Sequence, residues 1–293
     1  MASPELDAMV SMIRAQMGDS IPTIEQLRAQ SGASAALAPG GDDIEVSSGT
    51  AGDWVSVTGG TSPGALVHLH GGGYAVGSPA SSRDFAVRLS RATRRRVLVV
   101  DYRLAPEHPF PAALEDSVAA YCSVLDRGTP PGSIGLVGES SGGGLVLATL
   151  LALRERGVPL PAAAVCMSPW TDLALTGSSM TARVDRDPLV SPGLLKMMAD
   201  AYLAGQPTDA PLASPLYGDF TGLPPILVQT GTEEILFDDS VRFAERAQVA
   251  GVDVTLDIWD GMIHTWQLFA AFVPEGQQAI DRIGEYLTAR LPQ

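Results

Sequence analysis

Lysine is almost missing from this chain: Lys196 stands alone among 293 residues, and the other basic side chains are arginines. Lysine and arginine together number 19 against 33 acidic residues, which leaves a net charge of −14. A surface of that sign repels nucleic-acid backbones and anionic lipid, so neither nucleic acid nor a membrane is expected as a partner. Cysteine is as scarce. Cys122 and Cys166 have no metal-ligand spacing and fall in a helix-like and a strand-like segment. Both are expected to be reduced core residues of a cytoplasmic protein. Long apolar runs are missing too, which excludes a bilayer-spanning helix. The first residues, Met1-Ala2-Ser3-Pro4-Glu5-Leu6-Asp7, lack the basic start and apolar run of a secretion signal.

Against that background, one short motif carries chemistry. Gly138-Glu139-Ser140-Ser141-Gly142 follows the apolar run 134–137 and precedes the helical pattern beginning at 141. Strand, sharp turn and helix with a serine at the apex lift a hydroxyl into the open, where a base can take its proton as it attacks a carbonyl. The flanking glycines allow the turn to pack closely. Such a five-residue pattern arises by chance roughly 0.1–0.2 times in a chain of this length, so its position matters more than its letters. A second motif, His70-Gly71-Gly72-Gly73-Tyr74, follows the strand-like run 64–69. Residues without Cβ can turn backbone N–H groups toward a ligand. Acyl transfer needs such donors for the negative charge on the carbonyl oxygen, each worth about 3–4 kcal/mol of barrier.

Hydrophobic residues make up 45% of the chain, enough for one large core. After residue 64, strand-like runs (64–70, 96–101, 134–139, 162–168, 224–230 and 253–259) alternate with helical patterns near 81–94, 111–126, 141–156, 235–250 and 275–290. This alternation predicts an α/β fold with a mostly parallel central sheet and helices on both faces. The segments 42–47 and 53–57 alternate polar with apolar and read as an antiparallel hairpin at one edge. Two stretches break the rhythm, residues 1–40 and 171–223. They are expected to form a helical cap over a single domain, 1–293, whose catalytic core is 41–170 and 224–293. Six methionines (Met9, Met12, Met17, Met180, Met197 and Met198) lie in these stretches, and they suit either a substrate pocket or ordinary helix packing.

A serine needs a base and a group to orient it. Of the four histidines, His68 alternates within a strand, His70 opens the glycine run and His108 lies in a proline-pinned turn. His264 follows the strand 252–259 in a loop, at the carboxyl end where parallel sheets place their chemistry. The acid is expected between serine and histidine in the chain, in the loop after the strand 226–230. Glu233, Glu234, Asp238 and Asp239 all lie there, and composition does not choose among them.

The chain resembles the bacterial hormone-sensitive lipase family of esterases, within the α/β-hydrolase fold. The resemblance is carried in order by His70–Gly73, Asp101-Tyr102-Arg103-Leu104-Ala105-Pro106-Glu107, the serine turn, Ser168-Pro169-Trp170 and the two late loops, and it covers about residues 40–290. It implies Glu234 as the acid and Asp238 as a structural follower. It implies catalytic residues Ser140, Glu234 and His264 and an oxyanion hole built by Gly72, Gly73 and Ser141 N–H groups, with Gly71 shaping the loop. No metal and no cofactor are implied. The expected substrate is a small-molecule carboxylic ester of short to medium chain, cleaved through an acyl-enzyme; a lactone or an amide would suit the same residues. A homodimer through a sheet edge is also implied. A receptor on the same scaffold would be expected to have lost part of the triad, commonly the histidine, and His264 is present. The family's usual Gly-Asp-Ser-Ala-Gly is altered here by Glu139 and Ser141. Glu139 is expected to cap the following helix, and the 101–107 stretch to scaffold the serine turn.

Overall fold

The computed structural model describes residues 2–16, 21–35, 43–59 and 62–292. The N-terminal part forms α1 (Pro4–Gln16), α2 (Ile24–Ala35), β1 (Ile44–Gly49) and β2 (Gly52–Val57). The alternating core follows as β3 (Ala65–Leu69), α3 (Arg83–Thr93), β4 (Arg96–Val100), α4 (Ala112–Asp126), β5 (Ile134–Glu139), α5 (Ser141–Glu155) and β6 (Ala163–Met167). After β6 come α6 (Ser179–Ala182) and α7 (Pro192–Leu203), then β7 (Ile226–Gly231), α8 (Phe237–Val249), β8 (Val254–Trp259) and α9 (Pro274–Arg290). No helix among the described residues is long and apolar enough to cross a membrane.

The strands form one sheet in the order β1-β2-β4-β3-β5-β6-β7-β8. The β1–β2 hairpin sits at one edge and joins β4 antiparallel, and every pair from β4 to β8 is parallel. This is the α/β-hydrolase arrangement expected from the sequence; Asp42, taken as part of the edge hairpin, lies outside the described residues. The central strands β3, β5, β6 and β7 are buried at every position. Their unbroken apolar character follows from being covered on both faces. Alternate residues divide between two cores: Val67, Leu136, Cys166 and Val228 face α4, α5 and α8, whereas Leu66, Val137, Val165 and Leu227 face α3 and α9. Each such side chain contributes about 1.5–3 kcal/mol by leaving water.

The segments outside the alternation do different jobs. Leu6 and Met9 of α1 pack against Met262, Ile263 and Trp266, directly behind the loop that carries His264. Helix α2 is fastened by Arg28, which pairs with both oxygens of Glu107 at 2.7 Å and donates to the Ala75 and Ala105 carbonyls at 2.8 Å. Segment 171–179 is tied to the start of α8: Asp239 accepts from the Thr171 and Asp172 N–H groups, and Asp238 from Ser178 Oγ and Ser179 N. Burial pushes Asp239 up to about 7. Cys166 is fully buried, as expected, but Cys122 is only half-buried. It packs at the margin of the core.

Candidate active site

Residues 134–139 run as β5 into the turn, and Ser140 sits at its apex with φ 55° and ψ −124°, immediately before α5. That backbone region is costly for a residue with a side chain, by about 1–3 kcal/mol. The turn holds because its surroundings leave no alternative. The Ser140 N–H donates to the Met167 carbonyl (2.9 Å), and the Ser140 carbonyl accepts from Trp170 N (2.9 Å). A Cβ on Gly142 would lie 1.9 Å from the Leu69 carbonyl oxygen, and one on Gly138 would lie 2.4 Å from that of Gly142. Both positions need glycine because β3 and β5 run side by side beneath the turn.

His264 Nε2 lies 2.9 Å from Ser140 Oγ, and His264 Nδ1 lies 2.8 Å from Glu234 Oε2. A carboxylate only accepts, so Nδ1 carries the proton and Nε2 is left to accept from the serine. Burial pulls the His264 pKa down. The hydrogen bond and charge of Glu234, with the charges of Asp187 and Glu139, outweigh it, so the pKa stands above the usual 6.5. The other oxygen of Glu234 is equally fixed: Oε1 accepts from Gly231 N (2.6 Å), Thr230 Oγ1 (2.8 Å) and Ser168 Oγ (3.0 Å).

The three other carboxylates of that loop lie elsewhere. Asp238 and Asp239 hold segment 171–179, and Glu233 is half-exposed, 3.5 Å from Arg186. Of the remaining histidines, His70 is buried with its ring stacked on Tyr102, 4.2 Å between centroids, and its Nδ1 bonds to the Gly71 carbonyl. Burial pushes its pKa down to about 4, so it is a neutral brace. Tyr102 Oη also donates to the His70 carbonyl (2.6 Å). The 101–107 stretch therefore steadies the glycine loop and α2, and through the bond of Tyr102 to Ser141 it also touches the serine turn that it was expected to scaffold.

In the glycine loop, the Gly71 N–H is committed to Glu139 Oε1 (2.6 Å). The N–H groups of Gly72 and Gly73 make no hydrogen bond among the described residues. Ser141, next to the serine, is fully buried, and its Oγ accepts from Tyr74 N (3.3 Å). Glu139 does not cap α5. Its side chain leaves the sheet on the same face as Val137 and reaches His68 Nε2 at 2.7 Å.

These groups open onto a cavity of about 410 Å³, within the usual range for small-molecule sites. Its walls include Leu27 of α2, Leu194 and Met198 of α7, Phe85 of α3, and Leu268 and Phe269 after the histidine loop. Of the methionines from the two extra stretches, only Met198 among the described residues lines it. Met9 packs behind the histidine loop, Met180 is in the core, Met197 is partly buried against the core, Met12 is half-exposed, and Met17 lies outside the described residues. Leu189 and Val190 also line the cavity, and the buried carboxylate of Asp187 holds both of their N–H groups (2.9 and 3.0 Å). Its second oxygen accepts from Ile235 N (3.0 Å), the residue after Glu234.

The family pattern of the alpha/beta hydrolase fold matches residues 66–268. A crystal structure of an esterase from the bacterial hormone-sensitive lipase family superposes with a TM-score of 0.95 at 45% identity, over 100% of both chains. The chain belongs to this family. Other members bracket it: an acetyl-hydrolase of Streptomyces hygroscopicus is 45% identical over 98% of this chain and 97% of its own. An esterase of Acinetobacter venetianus is 40% identical over 76% of this chain and 74% of its own. A hormone-sensitive lipase from a metagenome library has a TM-score of 0.94 at 34% identity over 100% of both chains.

Within the family frame, sequence reasoning missed Ser168, Thr230 and Asp187 as supports of the acid loop. Ser168 and Thr230 stand at the carboxyl ends of neighbouring strands β6 and β7, the same sheet edge as Ser140, and that shared edge was the available signal. Asp187 had none, because it comes from the irregular segment before α7.

Proposed function

We propose that this ester hydrolase acts through Ser140 as nucleophile, His264 as general base and Glu234 as the group that orients the imidazole. The observation that carries this reading is the unbroken line from Ser140 Oγ to His264 Nε2 and from His264 Nδ1 to Glu234 Oε2, at 2.9 and 2.8 Å, opening on the cavity. In this reading the serine attacks the ester carbonyl while its proton passes to Nε2. Charge on the carbonyl oxygen is met by the N–H groups of Gly72 and Gly73 and by that of Ser141 at the start of α5. The imidazolium then protonates the departing alcohol, leaving an acyl-serine. His264 activates water in the second half, and the acid is released.

The described parts of the stretches 1–40 and 171–223 act as the cap in this proposal, residues 1, 17–20 and 36–40 lying outside the described residues, with Leu27, Leu194 and Met198 setting acyl-chain length at short to medium. A panel of p-nitrophenyl esters of rising chain length, beside lactones and anilides, tests both parts, with a phosphonate marking the nucleophile by mass spectrometry. Esters should be preferred, Ser140 should carry the label, and Met198→Trp should move the optimum to shorter acyl chains. Labelling elsewhere, or preference for anilides, would overturn the reading; an unmoved optimum in Met198→Trp would overturn the cap assignment.

The raised pKa of His264 gives an expected pH profile. Protonated imidazole cannot take the serine proton, so activity is present above the pKa and lost as pH falls through it. The acid limb of kcat/KM should therefore have its midpoint above 6.5, and Glu234→Gln should move it down. A limb at or below the ordinary histidine value in the unaltered protein would contradict this.

A further inference from the structure

We propose that Glu139 and His68 form a positioning pair that aims the oxyanion loop and keeps negative charge from opposing the reaction. The proposal rests on the reading of Ser140 as nucleophile and of Gly72 and Gly73 as oxyanion donors. Its basis is geometric. Strands β3 and β5 lie side by side in parallel, with His68 opposite Val137 and Leu69 opposite Gly138. His68 and Glu139 therefore leave the sheet on one face, and Glu139 Oε2 meets His68 Nε2 at 2.7 Å with both side chains almost fully buried. Oε1 turns the other way and accepts the Gly71 N–H at 2.6 Å.

That bond joins those of His70 to the Gly71 carbonyl and of Ala75 and Val76 to the Gly72 carbonyl in setting which way the loop faces. Gly71 enters the glycine run, and fixing its N–H anchors the first peptide plane, next to those that carry the Gly72 and Gly73 N–H groups. A Cβ on Gly71 would sit 3.3 Å from Ser140 Cβ, so the loop and the nucleophile are in contact at this point. A lone carboxylate here would be an awkward brace, because the tetrahedral intermediate places another negative charge nearby, and like charges repel strongly in a site with little water. His68 answers that problem. Its Nε2–H donates to Oε2 and draws charge away from the side facing the loop, and its ring packs on Phe85, 5.0 Å between centroids, beside the cavity. The longer side chain at 139, compared with the family's usual aspartate, lets one carboxylate reach both the loop and the histidine.

The experiment begins with phosphonate titration of the unaltered protein, which counts active sites and locates the label, so failure of the underlying nucleophile assignment shows there first. Then kcat, KM and the affinity for a trifluoromethyl ketone, a mimic of the oxyanion, are measured per titrated site. Glu139→Ala should lower kcat by about 30- to 100-fold with KM changed by less than about threefold, and weaken the ketone in parallel. Glu139→Gln retains an acceptor for Gly71 and should recover kcat to within about tenfold of the unaltered protein. His68→Phe keeps the ring contact with Phe85 but removes the donor, and should cost about tenfold in kcat with a parallel loss of ketone affinity. A Glu139→Ala kcat per site within about threefold of the unaltered value would overturn the proposal, as would a loss confined to KM. If Glu139→Ala does not fold, His68→Phe decides: unchanged kcat and ketone affinity overturn it.

Discussion

Ser140→Ala is expected to lower kcat for ester hydrolysis by about 10⁵–10⁶-fold, the scale of loss seen when the nucleophile of another serine hydrolase is removed. The substitution deletes one oxygen at the apex of the turn. It leaves the bonds from Ser140 N to Met167 O and from Trp170 N to Ser140 O in place, because both are made by the backbone. The circular dichroism spectrum and melting temperature should therefore stay close to those of the unaltered protein, and the cavity should still accept ester. Substrate affinity without turnover is the signature to look for, by calorimetry or by competition with a fluorescent ester analogue. Activity within about tenfold of the unaltered protein would remove Ser140 from the chemistry altogether.

Glu234→Gln is the second large effect, with an expected loss in kcat of at least about a hundredfold and up to about 10⁴-fold, the cost of the corresponding acid-to-amide change in a serine protease. The reason lies in how each oxygen is used. Oε1 is held by Gly231 N, Thr230 Oγ1 and Ser168 Oγ, all donors in the present arrangement. The oxygen of a glutamine is thereby drawn to that side, and its NH₂ is left facing His264 Nδ1. Two donors then meet, so the imidazole must take the opposite tautomer, with its proton on Nε2 toward Ser140. In that form it cannot act as base. Glu233→Gln should change kcat by less than about threefold, since its carboxylate is half-exposed and remote from the imidazole. Asp238→Asn should act through stability, by loosening segment 178–179 from α8. Parallel kcat measurements on these variants decide the acid; a costly Glu233→Gln beside an active Glu234→Gln would reassign it.

The fold and the two glycine-bearing loops were legible because their signals are local. A strand, a tight turn and a helix follow one another directly from Ile134 to Glu155, and the apolar runs of β3, β5, β6 and β7 carry their own burial. The position of His264 was legible for a related reason, since parallel strands gather their carboxyl-end loops at one edge. The choice among Glu233, Glu234, Asp238 and Asp239 was not available from the residues themselves. It depends on which side chain turns inward at the end of β7, and that is set by Thr230 and by Ser168, just past the end of the neighbouring strand β6. Glu139 was misjudged for the same reason. Its neighbours in sequence suggest a helix cap, but its partners are His68 on β3 and Gly71 in the loop that follows it, about seventy residues earlier. The methionines illustrate the converse: composition marked a class of residue, and only tertiary packing separated Met198 from the others.

Asp187 has a consequence for how this protein can change. One buried carboxylate holds the backbone of Leu189 and Val190 with one oxygen and that of Ile235 with the other. The wall that shapes the cavity and the loop that carries Glu234 are thus fastened to the same rivet. Widening the wall by shifting its backbone would tug on Glu234, whereas trimming a side chain at 189 or 190 would leave the rivet in place. New substrate range in this lineage is therefore more accessible by exchanging side chains along the wall than by inserting or deleting residues within it.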